Sequence, residues 1–426
     1  MGTIIVVGSG IAGDEAAHAA CRTDPEAKVI MITGESHPLY SACVLADYVA
    51  GHISRDRVFL RTTGEYAGSG IDIQLSQRVI DWFPDQRMLR LKDRELGYDS
   101  LILATGSQAL IPPLHGAGKK GVITLKTIGD ADLIKEKQGG THAVIVGSGP
   151  VGIEASLALR HLGWKVWIVE LLERVLPRLF DAPIAALIKA ELEERGIRVR
   201  PGERLMEILG EDHVEGVRTD RRTLKADLVL LVIGMKPEVS LAKKGGLALG
   251  PAGGIEVNEY MVSTRPDVWA CGDCVESRDR LTGRTGLFML WNNARLQGRA
   301  AGINAAGGAC KYRGSLNITT VNLINQAAAS VGFLAGDLPE GESQSLTRYG
   351  PSSAFNLIMR KGKIVGAQAL GHTERVGGLL GLLLRGGDLR DRLMGKYSSS
   401  RLESWPLRGL ENEITQILAV DGKGYG

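Results

Sequence analysis

Two stretches of the sequence have the residue types and spacing to hold a nucleotide pyrophosphate. They are Gly-Ser-Gly-Ile-Ala-Gly, from Gly8 to Gly13, and Gly-Ser-Gly-Pro-Val-Gly, from Gly147 to Gly152. In such a G-x-G-x-x-G turn each glycine has its own task. Gly8 and Gly147 permit a tight turn, Gly10 and Gly149 let the backbone reach a pyrophosphate, and Gly13 and Gly152 let helix and strand pack closely. The helix that follows brings Ile11 and Ala12, or Pro150 and Val151, to the phosphates, with free N–H groups at every one of these positions but Pro150 and a partial positive charge. Glu170 lies 23 residues after Gly147. There an acid hydrogen-bonds a ribose 2′-hydroxyl and repels a 2′-phosphate, which favours NAD(H) over NADP(H), with Arg174 nearby as a counterweight. The first turn has no equally clear acid: Thr33 stands at the corresponding place and Glu35 is the nearest carboxylate. Two dinucleotide turns suggest two dinucleotides, FAD on the first and NAD(H) on the second.

Sulfur is the other candidate chemistry. The cysteines are Cys21, Cys43, Cys271, Cys274 and Cys310. Cys271 and Cys274 have the Cys-x-x-Cys spacing of a redox dithiol or half a metal site. No second such pair completes a four-ligand site, so no metal and no iron–sulfur cluster of the chain's own is expected. Cys21 and Cys310 have no partners by spacing.

The glycine turns need strands and helices around them. Ile4 to Val7 reads as a strand into the first turn, an alanine-rich helix follows over Asp14 to Cys21, and Lys28 to Ile32 is a second strand. Ala143 to Val146, a helix over Ile153 to Leu162 and a strand over Lys165 to Glu170 repeat that order around the second turn. Strand, glycine turn, helix and strand within about 30 residues is the setting in which the motif is specific. Glycine is 56 of 426 residues, against ~7% in an average protein, without a collagen period. The 44% hydrophobic and 23% charged content is that of a folded chain. A net charge of +3 and 5% aromatics give no reason to expect nucleic acid or an anionic membrane as partner. No apolar run is long enough for a membrane span. The strand beginning at Thr3 leaves no room for a signal peptide, and five cysteines make no disulfide framework, so a cytoplasmic location is expected.

Three further segments carry a family resemblance. Tyr98 to Gly106, with Ala104-Thr105-Gly106, resembles the strand that returns a chain to a flavin domain. Leu230 to Gly234, with Pro237, resembles its counterpart closing an NAD domain. Thr264 to Asp273, ending in Gly272-Asp273, resembles the Gly-Asp motif of two-dinucleotide flavoproteins. Through these and the glycine turns the chain resembles the pyridine nucleotide–disulfide oxidoreductase superfamily. The resemblance implies an α/β fold of two Rossmann-like dinucleotide-binding domains, the NAD domain inserted in a discontinuous FAD domain, plus a small α+β C-terminal domain. The implied boundaries are 1–115 and 245–315 for FAD, 116–244 for NAD(H), and 316–426 for a C-terminal interface domain. It also implies that Asp273 binds a flavin ribityl hydroxyl, which argues against a redox or metal role for Cys271 and Cys274. A helix from Gly286, Leu287 and Phe288 would point its N-terminus at the flavin, where its dipole favours negative charge. Glu154 matches the family glutamate near the nicotinamide.

The same resemblance bears on the second redox partner. Two cysteines four residues apart mark disulfide reductases of the glutathione-reductase type; here there is one, Cys43. It falls where NADH oxidases, NADH peroxidases and CoA-disulfide reductases keep a single redox cysteine, but the peroxidase histidine is replaced by Ile11 and the preceding Asn by Ala42. Glu35 to Tyr40 is more similar to flavoproteins that hand electrons to another protein. The C-terminal segment, with a strand over Ile364 to Gly371 and a helix over Glu374 to Leu384 closed by Gly386-Gly387 before another helix at Asp388, resembles the small domain of NADH–rubredoxin reductases. Its Leu379 to Leu384 run reads as core. The expected activity is electron transfer between NAD(H) and an iron–sulfur protein subunit, within a larger complex. The alternative is a homodimeric CoA-disulfide or persulfide reductase, or NADH oxidase, using Cys43.

Overall fold

A computed structural model describes residues 2–137, 140–350 and 352–384. Gly386, Gly387 and Asp388, read from the sequence as a helix stop and a new helix, lie outside the described residues. The chain divides into two compact units.

The first unit comprises 1–110, 126–128 and 235–316. Its centre is a five-stranded parallel sheet, in the order Val268–Ala270, Ser100–Leu103, Thr3–Val7, Lys28–Ile32, Ile71–Gln74. Ile4 to Val7 and Val29 to Ile32 are buried throughout, as expected of strands covered on both faces. The helix Ile11–Thr23 covers one face and packs on the helix Trp291–Ala305. Small residues set that contact: a Cβ at Gly298 or Gly302 would stand 2.1 Å from the carbonyl oxygens of Ala12 or Ala16. This close approach accounts for the alanine and glycine content of both helices.

The second unit comprises 111–125, 129–234 and the described residues from Asn317 on. It holds a second five-stranded parallel sheet, in the order Arg198–Arg200, Lys165–Val169, His142–Val146, Leu228–Leu231, Val122–Ile123. It also holds a five-stranded antiparallel sheet, in the order Ile318–Asn322, Ala327–Gly332, Lys363–Leu370, Ala354–Arg360, Gln344–Tyr349. The helix Glu374–Leu383 lies on the antiparallel sheet and buries Val376, Leu379, Leu382 and Leu383, so most of the leucine run is core, with Leu380 and Leu384 half-buried. Among the described residues no helix is long and apolar enough to cross a membrane.

Candidate functional site

The first glycine turn joins the central strand Thr3–Val7 to the helix Ile11–Thr23. Gly8 has φ +112°, and a Cβ there would lie 2.1 Å from the Ala104 carbonyl oxygen. Side chains are therefore excluded twice, by conformation and by space. Gly10 is the helix N-cap, with φ −68° and ψ 178°. Its backbone is open to any residue, yet nothing stands within 4 Å of a Cβ built on it. Gly13 faces back into the turn. The helix begins at Ile11, three residues before the sequence reading, because Gly10 itself caps it and brings Ile11 and Ala12 into the first turn.

The second turn repeats this geometry in the second unit. Gly147 has φ +105° and would place a Cβ 2.5 Å from the Val232 carbonyl oxygen. Gly149 is the N-cap of the helix Pro150–His161, with φ −67° and ψ 178°, and again nothing stands within 4 Å of a Cβ on it. Pro150 occupies the first helical position, where no N–H is needed, and Val151 beside it is exposed. A Cβ on Gly152 would lie 2.2 Å from the Gly147 carbonyl oxygen. Both turns thus leave open space above the second glycine and the first helical amides, a cradle that fits a pyrophosphate.

Glu170 follows the strand Lys165–Val169 and is buried. Its Oε2 accepts from the Ser148 amide at 2.8 Å and the Ser148 hydroxyl at 2.7 Å, and its Oε1 accepts from the Leu172 amide at 2.8 Å. The acid is thereby fixed against the second glycine turn. Arg174 folds into its own loop, donating from Nε to the Phe180 carbonyl and from Nη2 to the Pro177 carbonyl, both at 3.1 Å. Glu154 is half-buried on the helix Pro150–His161, with Oε1 3.5 Å from the Asn322 amide. Gly234, at φ +122°, closes the turn after the strand Leu228–Leu231.

In the first unit, Ala104, Thr105 and Gly106 follow the strand Ser100–Leu103. Ala104 supplies the carbonyl opposite Gly8, Thr105 donates to the Glu238 carbonyl at 2.6 Å, and Gly106 has φ +72°. Asp273 sits in the short turn Gly272–Cys274. Its Oδ2 accepts from Ser107 Oγ at 2.7 Å and lies 3.6 Å from Lys126 Nζ. Glu35 is half-buried, its amide donating to Thr33 Oγ1 at 3.2 Å. One expectation is corrected. No helix starts at Gly286, Leu287 and Phe288: Thr285–Gly286 pairs with Val275–Arg278 as a hairpin, Leu287 and Phe288 continue non-helically, and the helix starts at Trp291 with Leu290 as N-cap. Ladder pairing to Ser277 and Arg278 holds the backbone extended where the sequence reading placed the first helical turn.

Cys43 is exposed, in the 3₁₀ turn Ala42–Val44. Close to it in sequence, His37 and Tyr40 meet Phe59 edge-on, and the Arg55 guanidinium lies 5.4 Å from the Phe59 ring centre. Cys271 and Cys274 are buried, and burial pushes both thiols above their ordinary range. Cys274 Sγ lies 3.2 Å from the Cys271 carbonyl and 3.5 Å from the Leu103 carbonyl. Among the described residues no group of three or more His, Cys, Asp or Glu could hold a metal ion.

Two buried polar clusters lie outside the sequence motifs. Asp14, directly after Gly13, is buried and accepts from the Tyr66 hydroxyl at 2.8 Å, with Arg61 Nε at 3.4 Å and His18 Nδ1 at 3.5 Å. A carboxylate on the buried side of an alanine-rich helix was a legible signal. Asp181 is held by Gln368 and Asn356, 187 and 175 residues on, and nothing in its local sequence announces that contact.

Comparison with known proteins agrees with this geometry. The protein-family model for pyridine nucleotide-disulphide oxidoreductase matches residues 2–298. The NADH oxidase of Methanocaldococcus jannaschii is 33% identical over 395 residues, covering 87% of this chain and 88% of that protein. Subunit epsilon of the NADH-dependent phenylglyoxylate dehydrogenase of Aromatoleum evansii is 30% identical over 356 residues, covering 81% and 82%. The solved NAD-dependent persulfide reductase from A. fulgidus matches with a TM-score of 0.89 at 26% identity, covering 99% of this chain and 84% of that one. The chain belongs to the pyridine nucleotide-disulphide oxidoreductase family, and is an FAD- and NAD(H)-dependent oxidoreductase.

Proposed function

We propose that this chain is the flavin component of a larger oxidoreductase and passes electrons between NAD(H) and an iron–sulfur protein. In this reading the Gly8–Gly13 turn and Asp273 hold FAD, while the Gly147–Gly152 turn and Glu170 hold NAD(H). Bound FAD supplies the step from two-electron to one-electron transfer, and the protein supplies position and electrostatics. The amides that open above Gly10 and Gly149 face the phosphates. Asp273, fixed by Ser107 and Lys126, presents its free lone pairs to a ribityl hydroxyl. Glu170 presents Oε1 to a ribose hydroxyl, and Glu154, by its match to the family glutamate, serves the nicotinamide. Glu35, Ala104, Thr105, Gly106, Leu287 and Phe288 complete the flavin surroundings.

The observation that carries the reading is Cys43. It is an exposed thiol with no second cysteine four residues away, so the segment lacks the internal dithiol of a disulfide reductase. Beside it in sequence are Tyr40, Arg55, Phe59 and the exposed Leu60, aromatic, cationic and apolar groups of the kind enriched at protein interfaces. The similarity to a dehydrogenase subunit over four-fifths of both chains supports the same reading.

The exposure of Cys43 also favours a second reading, in which its thiolate attacks the S–S bond of a CoA disulfide or persulfide, forms a mixed disulfide and expels CoA thiolate or hydrosulfide, with two electrons from NADH through FAD restoring the Cys43 thiolate. The similarity to an NADH oxidase and to a persulfide reductase supports this alternative. Cys43→Ser separates the two. The first reading expects NADH-to-viologen transfer to continue in the variant, and iron with acid-labile sulfide to co-migrate with the yellow protein from its native source. Loss of viologen reduction with FAD and NADH still bound sinks that reading in favour of the second.

A further inference from the structure

Asp181 stands at the N-cap of the helix Ala182–Glu194, yet its side chain makes no capping bond to that helix. Asp is among the strongest N-cap residues, so turning away forgoes a stabilising capping bond. The carboxylate is directed instead into the antiparallel sheet of the same unit. It accepts from Gln368 Nε2 at 2.8 Å, from Asn356 Nδ2 at 3.2 Å and from the Ala335 amide at 3.2 Å, while the Asp181 amide donates to Gln368 Oε1 at 2.9 Å. Gln368 and Asn356 are fully buried.

These two residues belong to a polar row that crosses the whole sheet in register. Thr319 pairs with Ser330, Ser330 with Gln368, Gln368 with Asn356, and Asn356 with Thr347. Residues directly opposite in a ladder share a face. Around them the strand positions are filled by Phe355, Leu357, Ile358 and Ala367, all buried. A buried polar row is costly unless satisfied, and it accepts one partner in one register.

The residue before Asp181 ends the loop that carries the nucleotide determinants. That loop leaves Glu170, returns to the glycine turn where the Leu176 amide donates to the Ser148 carbonyl at 3.0 Å, and buries Val175, Leu176 and Phe180. Leu176 sits at φ +47°, a conformation a leucine holds only when its surroundings impose it. Arg174 is tied to the carbonyls of Pro177 and Phe180, so displacing Phe180 removes the Nε half of the hold that keeps its head within the loop.

We propose that the Asp181–Gln368–Asn356 clasp makes the C-terminal sheet a positioning element for the NAD(H) loop, and that it enforces preference for NAD(H) over NADP(H). Asp181 is a positioning residue: it anchors Phe180, Phe180 holds Arg174, and Arg174 is withheld from a 2′-phosphate. This rests on the assignment of Glu170 to the nucleotide ribose.

The test measures the affinity of the FAD-loaded full chain for NADH and NADPH by calorimetry, together with Tm and turnover with ferricyanide. Gln368→Ala should weaken NADH binding about tenfold and narrow the NADH:NADPH affinity ratio by about tenfold, with kcat within about twofold. Adding Arg174→Ala should abolish the narrowing. Asn356→Ala should act in the same direction and carries the test if Gln368→Ala does not fold. Gln326→Ala removes a contact to Glu191 at the far end of the same helix, 2.7 Å long. It should lower Tm without moving either affinity. The proposal is overturned if Gln368→Ala and Asn356→Ala lower Tm but leave the affinity ratio unchanged, or if the narrowing survives Arg174→Ala. A wild-type chain that binds neither nucleotide refutes the ribose assignment instead, before any variant is made.

Discussion

Gly13 faces the carbonyl oxygen of Gly8 so closely that a Cβ on Gly13 would stand 1.9 Å from it. Gly10, between them, meets nothing within 4 Å and has the φ of an ordinary residue. The two positions therefore separate folding from binding. Gly10→Ala should leave the Tm equal or slightly raised, since an allowed Gly→Ala change restricts the unfolded chain. It should nevertheless purify colourless, because the methyl occupies the space over the turn. Gly149→Ala should purify yellow and fail to bind NADH in a calorimetric titration. Full flavin content in Gly10→Ala would falsify the assignment of the first turn to FAD.

Glu170 accepts three hydrogen bonds inside the protein as well as facing the proposed ribose. Glu170→Ala leaves the Ser148 amide and hydroxyl and the Leu172 amide without their acceptor. We expect a loss of about 2–4 kcal/mol in urea unfolding. Glu170→Gln keeps an acceptor oxygen and should cost less stability, while NADH affinity still falls about tenfold. Equal NADH affinity in both variants and wild type would remove Glu170 from the nucleotide site.

The cysteines should differ sharply toward alkylation. Only the thiolate reacts, and burial raises the Cys271 and Cys274 thiols while enclosing them. Iodoacetamide under native conditions should modify Cys43 first and leave Cys271 and Cys274 unmodified until the protein unfolds. Peptide mass spectrometry reads the order. Early modification of Cys274 would show that the Gly272–Cys274 turn opens.

Tyr66 donates to Asp14, and its hydroxyl is pushed well above the usual tyrosine range, by burial first and by the Asp14 carboxylate second. A raised folded-state pKa means that the native protein holds this proton more tightly than the unfolded chain does. The contribution is complete below the unfolded tyrosine pKa of about 10 and is lost as pH rises beyond it. The urea midpoint of wild type should therefore fall more steeply between about pH 9 and pH 11 than that of Tyr66→Phe. At neutral pH, Tyr66→Phe should cost about 1–3 kcal/mol by leaving Asp14 one donor short. Parallel pH profiles for the two proteins would contradict the assignment.

The glycine turns, their strands and the place of Glu170 at a strand end were legible in the sequence because a dinucleotide fold writes its requirements locally. A glycine that must avoid a carbonyl, and an acid at a strand end, hold their meaning within about 30 residues. The leucine run of the last described helix was legible as core from its apolar content, while which of its leucines are buried was decided by the sheet beneath it. The start of the Trp291–Ala305 helix was not legible, because Thr285 and Gly286 are captured by a strand partner and helical propensity cannot register a competing ladder. Asp14 could have been read as a carboxylate among buried alanines, but its partners Arg61 and Tyr66 are about 50 residues away. Asp181 shows the limit most plainly. Its sequence setting describes a helix cap, and only the folded sheet, by aligning Gln368 and Asn356 in one register, turns its carboxylate away from the helix. Local backbone needs are encoded in neighbouring residues; the partner of a buried charge is chosen by topology, which brings distant donors to it.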